Sequence, residues 1–379
     1  VRRRDEGLAE YRSGFPMILT NGIWLFFVSA LVAVAQGTLL VGTWPHSIQV
    51  VDEAKRQIVD KIDLGTGIPQ GMQLSEDRKT LYVNTLEKSG IEVIDVATRK
   101  VTNSFTLNEG TKQYRIRGAA VDPQGKFAYI LFRTAEKKQD RFEIAKETKF
   151  GVIDLAQKKI VRTADVPKDE DQPGFGFGGQ MRFSPDGKYL YVFRNNVFIF
   201  DIADFKVVDK IELSKPQIPG MQNIGIGGSL DSIQEPGMLI SVFNSQDPVV
   251  HRTIFGIARF DLTKRTFDFS PVGPSATGMT GLHVTPDHKK GYTVAFNGQG
   301  GNRRCEFWEF DLTSNKLVRK QEFDGRARFS LAISSSGKEL YILGAGYDVE
   351  VYDADTLRLK NTIDLSADTT SWIVVPASR

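Results

Sequence analysis

Short apolar runs recur along the chain, each broken by a tight polar turn and resumed on the other side. "GMQLSEDRKTLYVNT" begins at Gly71, "GAAVDPQGKFAYILF" at Gly118, "GQMRFSPDGKYLYVF" at Gly179, "TGLHVTPDHKKGYTVAF" at Thr280 and "FSLAISSSGKELYILG" at Phe329. Each predicts a strand, a turn and a second strand. The Pro-Asp-Gly type turns supply a preset φ and a position tolerant of φ > 0, and Tyr, Val and Ile favour the pleated surface on either side.

A second phrase follows each of these. An apolar run ends in Asp, and a few variable residues lead to a return strand, as in "IEVIDVATRKVTNSFTL" and "VEVYDADTLRLKNTIDL". This occurs at Asp52, Asp95, Asp154, Asp201, Asp261, Asp311 and Asp353. Four short strands per repeat, repeated radially, define a propeller blade. The chain is therefore expected to be all-β, a seven-bladed β-propeller of four-stranded antiparallel blades. The aspartates open the third-to-fourth-strand turns, where a carboxylate bonds the backbone of its own turn, so a structural role is expected for them.

The unit around Asp52 starts at "TLLVGTW" and lacks an inner strand. "SWIVVP", residues 371–376, has the inner-strand pattern, with Pro376 where Pro123, Pro185 and Pro286 stand in other repeats. The ring is thus expected to be closed by the C-terminal strand completing blade 1, which removes the open strand edges of a linear array. Blade 5, whose first turn is replaced by "GGSLDSIQEPGM", is the least regular.

Residues 1–35 form a separate unit. "IWLFFVSALVAVA", Ile23 to Ala35, has the length of a signal-peptide apolar region and ends in the small-x-small pattern Ala33-Val34-Ala35. A signal peptide over 1–35 and a propeller over 36–379 are expected, giving a periplasmic or secreted protein with no membrane association after cleavage. A retained N-terminal anchor is the alternative. The net charge is +3, and loss of residues 1–35, with four Arg and three acidic residues, leaves +2. That is too little for a general attraction to nucleic acid.

The single cysteine, Cys305, excludes intramolecular disulfides, CxxCH haem attachment and cysteine-built metal centres. It is expected to be a small buried hydrophobe. The four histidines, His46, His251, His283 and His288, lack ligand spacing, and His283 and His288 lie at opposite ends of one hairpin. No metal and no cofactor is expected in this chain. "GFGFGG" from Gly174 precedes a strand where a dinucleotide fingerprint needs a helix.

In a propeller, the loops entering the inner strands and those joining second to third strands open on one face, and function collects on such loops. Here they contain Trp44, His46, Tyr114, Arg115, Arg117, Arg303, Arg304, Arg326, Arg328 and Tyr347. Arg and aromatic residues anchor interfaces, so this set is the expected partner- or ligand-binding face. The loop from Arg133 to Lys149 is expected to be an extended hairpin arm.

The blade phrase resembles the YVTN-type propellers of exported bacterial proteins, and most specifically the β-subunit family of quinohemoprotein amine dehydrogenases, with the methylamine dehydrogenase heavy chain more distant. "GKELYILGAGYDVEVYDADTLRLKNTIDLSAD", the last blade, carries that similarity, which extends over nearly all of residues 38–376. The resemblance implies a non-catalytic, cofactor-free, protein-binding scaffold whose partner is a quinone- or haem-bearing redox subunit. The competing expectation is a lactonase-like hydrolase at the channel mouth, with His46 or His251 as base.

Overall fold

The computed structural model describes residues 37–166, 180–231, 237–298, 300–325, 329–344 and 346–377. The strands fall into seven antiparallel sheets, one per repeat, and the last of them, Thr369–Val375, joins the first sheet beside Thr38–Thr43. Leu39 faces Val374 and Leu40 faces Ile373 in that pairing, so the ring closes as the sequence pattern requires.

Apolar runs in the second and third strands of each blade are buried on both sides because blade packs on blade. Seven buried clusters occupy the seven interfaces between neighbouring blades. The period-2 alternation of a strand assigns side chains to them. In blade 1, Leu39 and Val41 pack against blade 7, while Leu40 packs against blade 2. The fourth strands form the outer rim and alternate between exposed and half-buried side chains, as in Lys100–Thr106.

All seven repeat aspartates accept a backbone N–H from two or three residues ahead: Asp52 from Lys55 at 2.9 Å, Asp95 from Thr98 at 2.7 Å, and Asp154, Asp201, Asp261, Asp311 and Asp353 likewise. The residue four after each Asp, such as Arg56 or Arg99, has positive φ. The carboxylate satisfies the amides of a turn that must end in this left-handed conformation. In six blades the fourth strand also carries a bulge opposite the residues just before the Asp.

Blade 5 departs from this pattern. Its bulge lies at Phe255/Gly256, at the other end of the strand. A Cβ on Gly256 would come within 2.3 Å of the Ser270 carbonyl oxygen, so only glycine lets the two backbones approach there.

Blade 3 has five strands. Its first two, Lys112–Val121 and Phe127–Lys137, are longer than elsewhere, and the short strand Phe142–Ile144 folds back on residues 135–137. The hairpin arm expected over Arg133–Lys149 is thus an extension of the blade 3 sheet. Among the described residues no helix is long and apolar enough to cross a membrane. The expected signal peptide lies outside the described residues.

Candidate functional site

Because the strands alternate in direction, the loop entering each first strand and the loop joining the second and third strands open on the same end of the ring. Exposed large apolar side chains are distributed unequally relative to this end. Among the described residues, Trp44, Leu86, Phe142, Ile144, Val249, Val250 and Tyr347 lie in or beside second-to-third-strand loops. The remaining exposed large apolar residues, including Val161, Val207, Val208 and Val318, are on the outer fourth strands, and none is in a turn of the opposite end. Scattered apolar exposure is ordinary; its concentration on loops of one face from five blades marks an interaction surface.

Trp44 is 58% exposed and Tyr347 59% exposed, on the adjoining blades 1 and 7. One short segment holds both loops. The Trp44 N–H donates to the Asp368 carbonyl at 2.9 Å, and the Leu365 N–H donates to the Tyr347 carbonyl. His46 sits in the Trp44 loop, exposed, and its carbonyl accepts from the Leu64 N–H at 2.9 Å. In blade 6 the Arg303 guanidinium lies 4.3 Å from the centre of the Phe296 ring, and Arg304 makes an exposed ion pair with Glu322 at 3.6 Å.

Tyr114 is not on this face. It is 7% exposed, with its ring 5.4 Å from Phe132 in the core between blades 2 and 3. The expectation of a loop residue failed because the first strand of blade 3 begins at Lys112, so the segment read as a connection is part of the sheet. Arg115, half-buried, stands opposite Arg133 in that ladder. Arg326 and Arg328 lie outside the described residues, as does "GFGFGG".

Arg117 instead borders a cavity of about 700 Å³ at the inner strands of blades 2, 3 and 4. The bulge between Ile116 and Gly118 displaces it from the ladder. Gln70 holds it, its amide oxygen 3.3 Å from Arg117 Nη1 and its nitrogen 3.2 Å from the Ile116 carbonyl. From blade 4 come Gln180 and Arg182, whose Nη1 donates to the Met181 carbonyl at 2.7 Å. Gln73 joins blades 2 and 3 by acting as a piece of strand. It receives the Val121 N–H at 2.9 Å and donates to the Val121 carbonyl at 3.2 Å.

The cavity shares Gln73, Met181 and Arg182 with a second one that reaches His283 and Trp372, whose rings are 5.5 Å apart. Gln70, Gln180, Arg182 and Trp372 had not been singled out in the sequence. A signal was available: Gln73, Arg182 and His283 each stand two residues before the turn residues Ser75, Ser184 and Thr285, a polar position repeated in three inner strands.

Cys305 is buried and unpaired by any disulfide, and burial raises its thiol above the usual range. His283 lies in an inner strand and His288 in the turn beyond it. Among the described residues, no three His, Cys, Asp or Glu side chains converge as metal ligands would.

The fold is shared with solved propeller structures. The periplasmic gluconolactonase PpgL of Pseudomonas aeruginosa aligns over 90% of this chain and all of its own, with a TM-score of 0.53 and 12% identity. The dihydro-haem d1 dehydrogenase NirN, solved in complex with DHE, aligns over 89% of this chain and 75% of its own, with a TM-score of 0.52 and 13% identity. A putative 6-phosphogluconolactonase of Bacteroides fragilis aligns over 91% and 99%, with a TM-score of 0.51 and 15% identity. At such identities the likeness concerns the fold alone. No protein-family model and no curated protein sequence matches the chain.

Proposed function

We propose that this is a non-catalytic exported propeller that docks a protein partner on its second-to-third-strand loop face, as a β-subunit-like component of a periplasmic amine dehydrogenase-type redox complex. The observation that carries the docking part is the grouping of Trp44, Leu86, Val249, Val250 and Tyr347 on that one face. Exposed aromatic anchors are what interface hot spots are built on. The nature of the partner, a quinone- or haem-bearing subunit, follows from the sequence resemblance of the last blade.

The hydrolase reading draws on the two lactonases among the structures that share the fold, but no catalytic set has been placed for it among the described residues. His46 and His251 belong to loops of blades 1 and 5, which are not neighbours in the ring.

Chemical crosslinking in the source organism, followed by purification of the tagged protein, tests the proposal. One stoichiometric partner crosslinked to the loop face is expected. The triple variant Trp44→Ser, Val249→Ser, Tyr347→Ser should lose it, and Val208→Ser with Val318→Ser on the outer strands should keep it. A partner-free monomer, or hydrolysis of lactones by the purified protein, would overturn the reading.

A further inference from the structure

The arm of blade 3 ends in an open sheet edge. Its outermost strand, Phe142–Ile144, pairs with residues 135–137 on one side, and among the described residues no strand pairs with the other. The hydrogen bonds of the hairpin fix what that edge presents. The Lys138 N–H donates to the Arg141 carbonyl at 2.8 Å and the Ala145 N–H to the Thr134 carbonyl at 2.9 Å, which makes these the hydrogen-bonded pairs of the ladder. Alternation adds Glu136 with Glu143 between them. Phe142 and Ile144 therefore stand in the pairs that are not hydrogen-bonded, and their N–H and C=O groups turn outward.

The side chains divide in the same regular way. Phe142 and Ile144 lie on one face of the strand, 52% and 46% exposed. Arg141 and Glu143 lie on the other, joined by an ion pair at 2.7 Å. An open edge is commonly blunted by a proline, a bulge or an inward-pointing charge. This strand has no proline and no bulge, and the two charges beside its apolar residues are exposed and of opposite sign.

A second copy turned about a two-fold axis at Phe142 pairs this edge with itself, antiparallel. Phe142 then exchanges both backbone hydrogen bonds with Phe142 of the second copy. Arg141 comes opposite Glu143 of the second copy, and Glu143 opposite its Arg141, at the closer spacing of the pairs that are not hydrogen-bonded. Four charges of alternating sign thus meet on one face and two phenyl rings on the other. An axis at Glu143 would set two carboxylates against each other, so the charges select the register. From this self-complementarity we infer that the arm of blade 3 is a self-association edge, which joins two copies of this chain into a symmetric dimer.

So short a strand buries less than the roughly 1,200 Å² of a standard interface, and the dimer is correspondingly weak. It is absent near about 1 µM and forms with Kd between about 10 µM and about 1 mM. It is also independent of the docking face, since Trp44, Val249 and Tyr347 are outside the edge.

Sedimentation of the purified protein from about 5 µM to about 500 µM tests this, and the average mass should rise from one chain toward two. Arg141→Glu and Glu143→Arg each place like charges opposite each other and should each raise Kd about tenfold or more. An equimolar mixture of these two variants opposes an acidic edge to a basic one and should associate at least as tightly as the parent. A variant that had merely lost its fold would stay inactive in the mixture, so the mixture separates the two causes. Phe142→Pro removes an N–H that faces outward and should abolish the dimer with native circular dichroism retained. The variant Trp44→Ser, Val249→Ser, Tyr347→Ser should dimerise as the parent does, so loss of the partner and loss of the dimer are read separately. A monomer throughout the concentration range, association unaltered by either charge reversal, a mixture that stays monomeric, or crosslinking of the arm in the source organism to a different protein alone would overturn the inference.

Discussion

The Glu53 carboxylate, just past the last strand residue of its blade 1 hairpin, accepts the backbone N–H of Ser335 from blade 7 at 3.1 Å, across the seam where the ring closes. The Ser335 hydroxyl donates to the same carboxylate and in turn accepts the Gly37 N–H at 3.0 Å. The Tyr341 hydroxyl adds a third bond to Glu53 at 3.1 Å. Two strands joined through Leu40 and Ile373 thus close the sheet, and a buried carboxylate fastens its neighbour blade to it.

Burial pushes Glu53 above its ordinary carboxyl value of 4.5, against the pull of the Ser335 and Tyr341 hydrogen bonds. The native state therefore holds this proton to higher pH than the unfolded chain does. The resulting stability is fully present below 4.5 and declines as pH climbs through the raised value. Glu53→Gln is neutral throughout, so its deficit in melting temperature relative to the parent should be largest near about pH 4 and should shrink toward about pH 7. Thermal melts at the two pH values read this directly, and a deficit independent of pH contradicts it.

The turn aspartates have the opposite sign. The Thr98 hydroxyl and then its N–H, both at 2.7 Å, hold Asp95 below its ordinary 3.8. Asp154 and Asp311 are lowered likewise, chiefly by the backbone N–H groups of Gln157 and Ser314. Such groups stabilise the fold above the ordinary value and lose that contribution as pH falls through the depressed one. The double variant Asp95→Asn, Asp154→Asn should start with a lower melting temperature near neutrality and lose less of it on acidification from about pH 5 to about pH 3. A parallel acid loss in parent and variant would refute the assignment.

Two tyrosines from the same sequence-level reading should now behave differently. Tyr114→Ala opens a void beside Phe132 and is expected to cost about 3–5 kcal/mol, in line with other large aromatic truncations. Tyr347→Ala removes an exposed ring and should stay within about 0.5 kcal/mol. Urea unfolding of both variants decides the point, and similar midpoints would place the two rings in similar surroundings.

Ring closure has its own test at Ile373, which packs with Leu40, Ile48 and Val50. Ile373→Ala should cost about 2–5 kcal/mol. Deleting residues 369–379 should do worse, by exposing the edge of Thr38–Thr43 to other molecules. Light scattering after size exclusion should show a monomer for the point variant and aggregates for the deletion.

Much of this architecture could be read from the chain because its causes are local. An Asp that bonds the amide three residues ahead leaves the same signature at Asp52 as at Asp353. A strand alternates its faces by covalent geometry, so Leu39 and Leu40 had to serve different interfaces. Even the missing inner strand at Thr369–Val375 was legible, because its apolar run and Pro376 repeat a pattern present elsewhere. Tyr114 was misplaced for an equally local reason, since nothing in "QYRIRG" marks where a loop gives way to a strand lengthened by an extra arm. The cavity was beyond the reach of such rules. Gln70, Arg117 and Arg182 come from three repeats, and their meeting depends on the spacing and tilt of blades 2, 3 and 4. That spacing is set by the fill of the cores between blades, a sum over many side chains distant in sequence, and only the folded ring performs it.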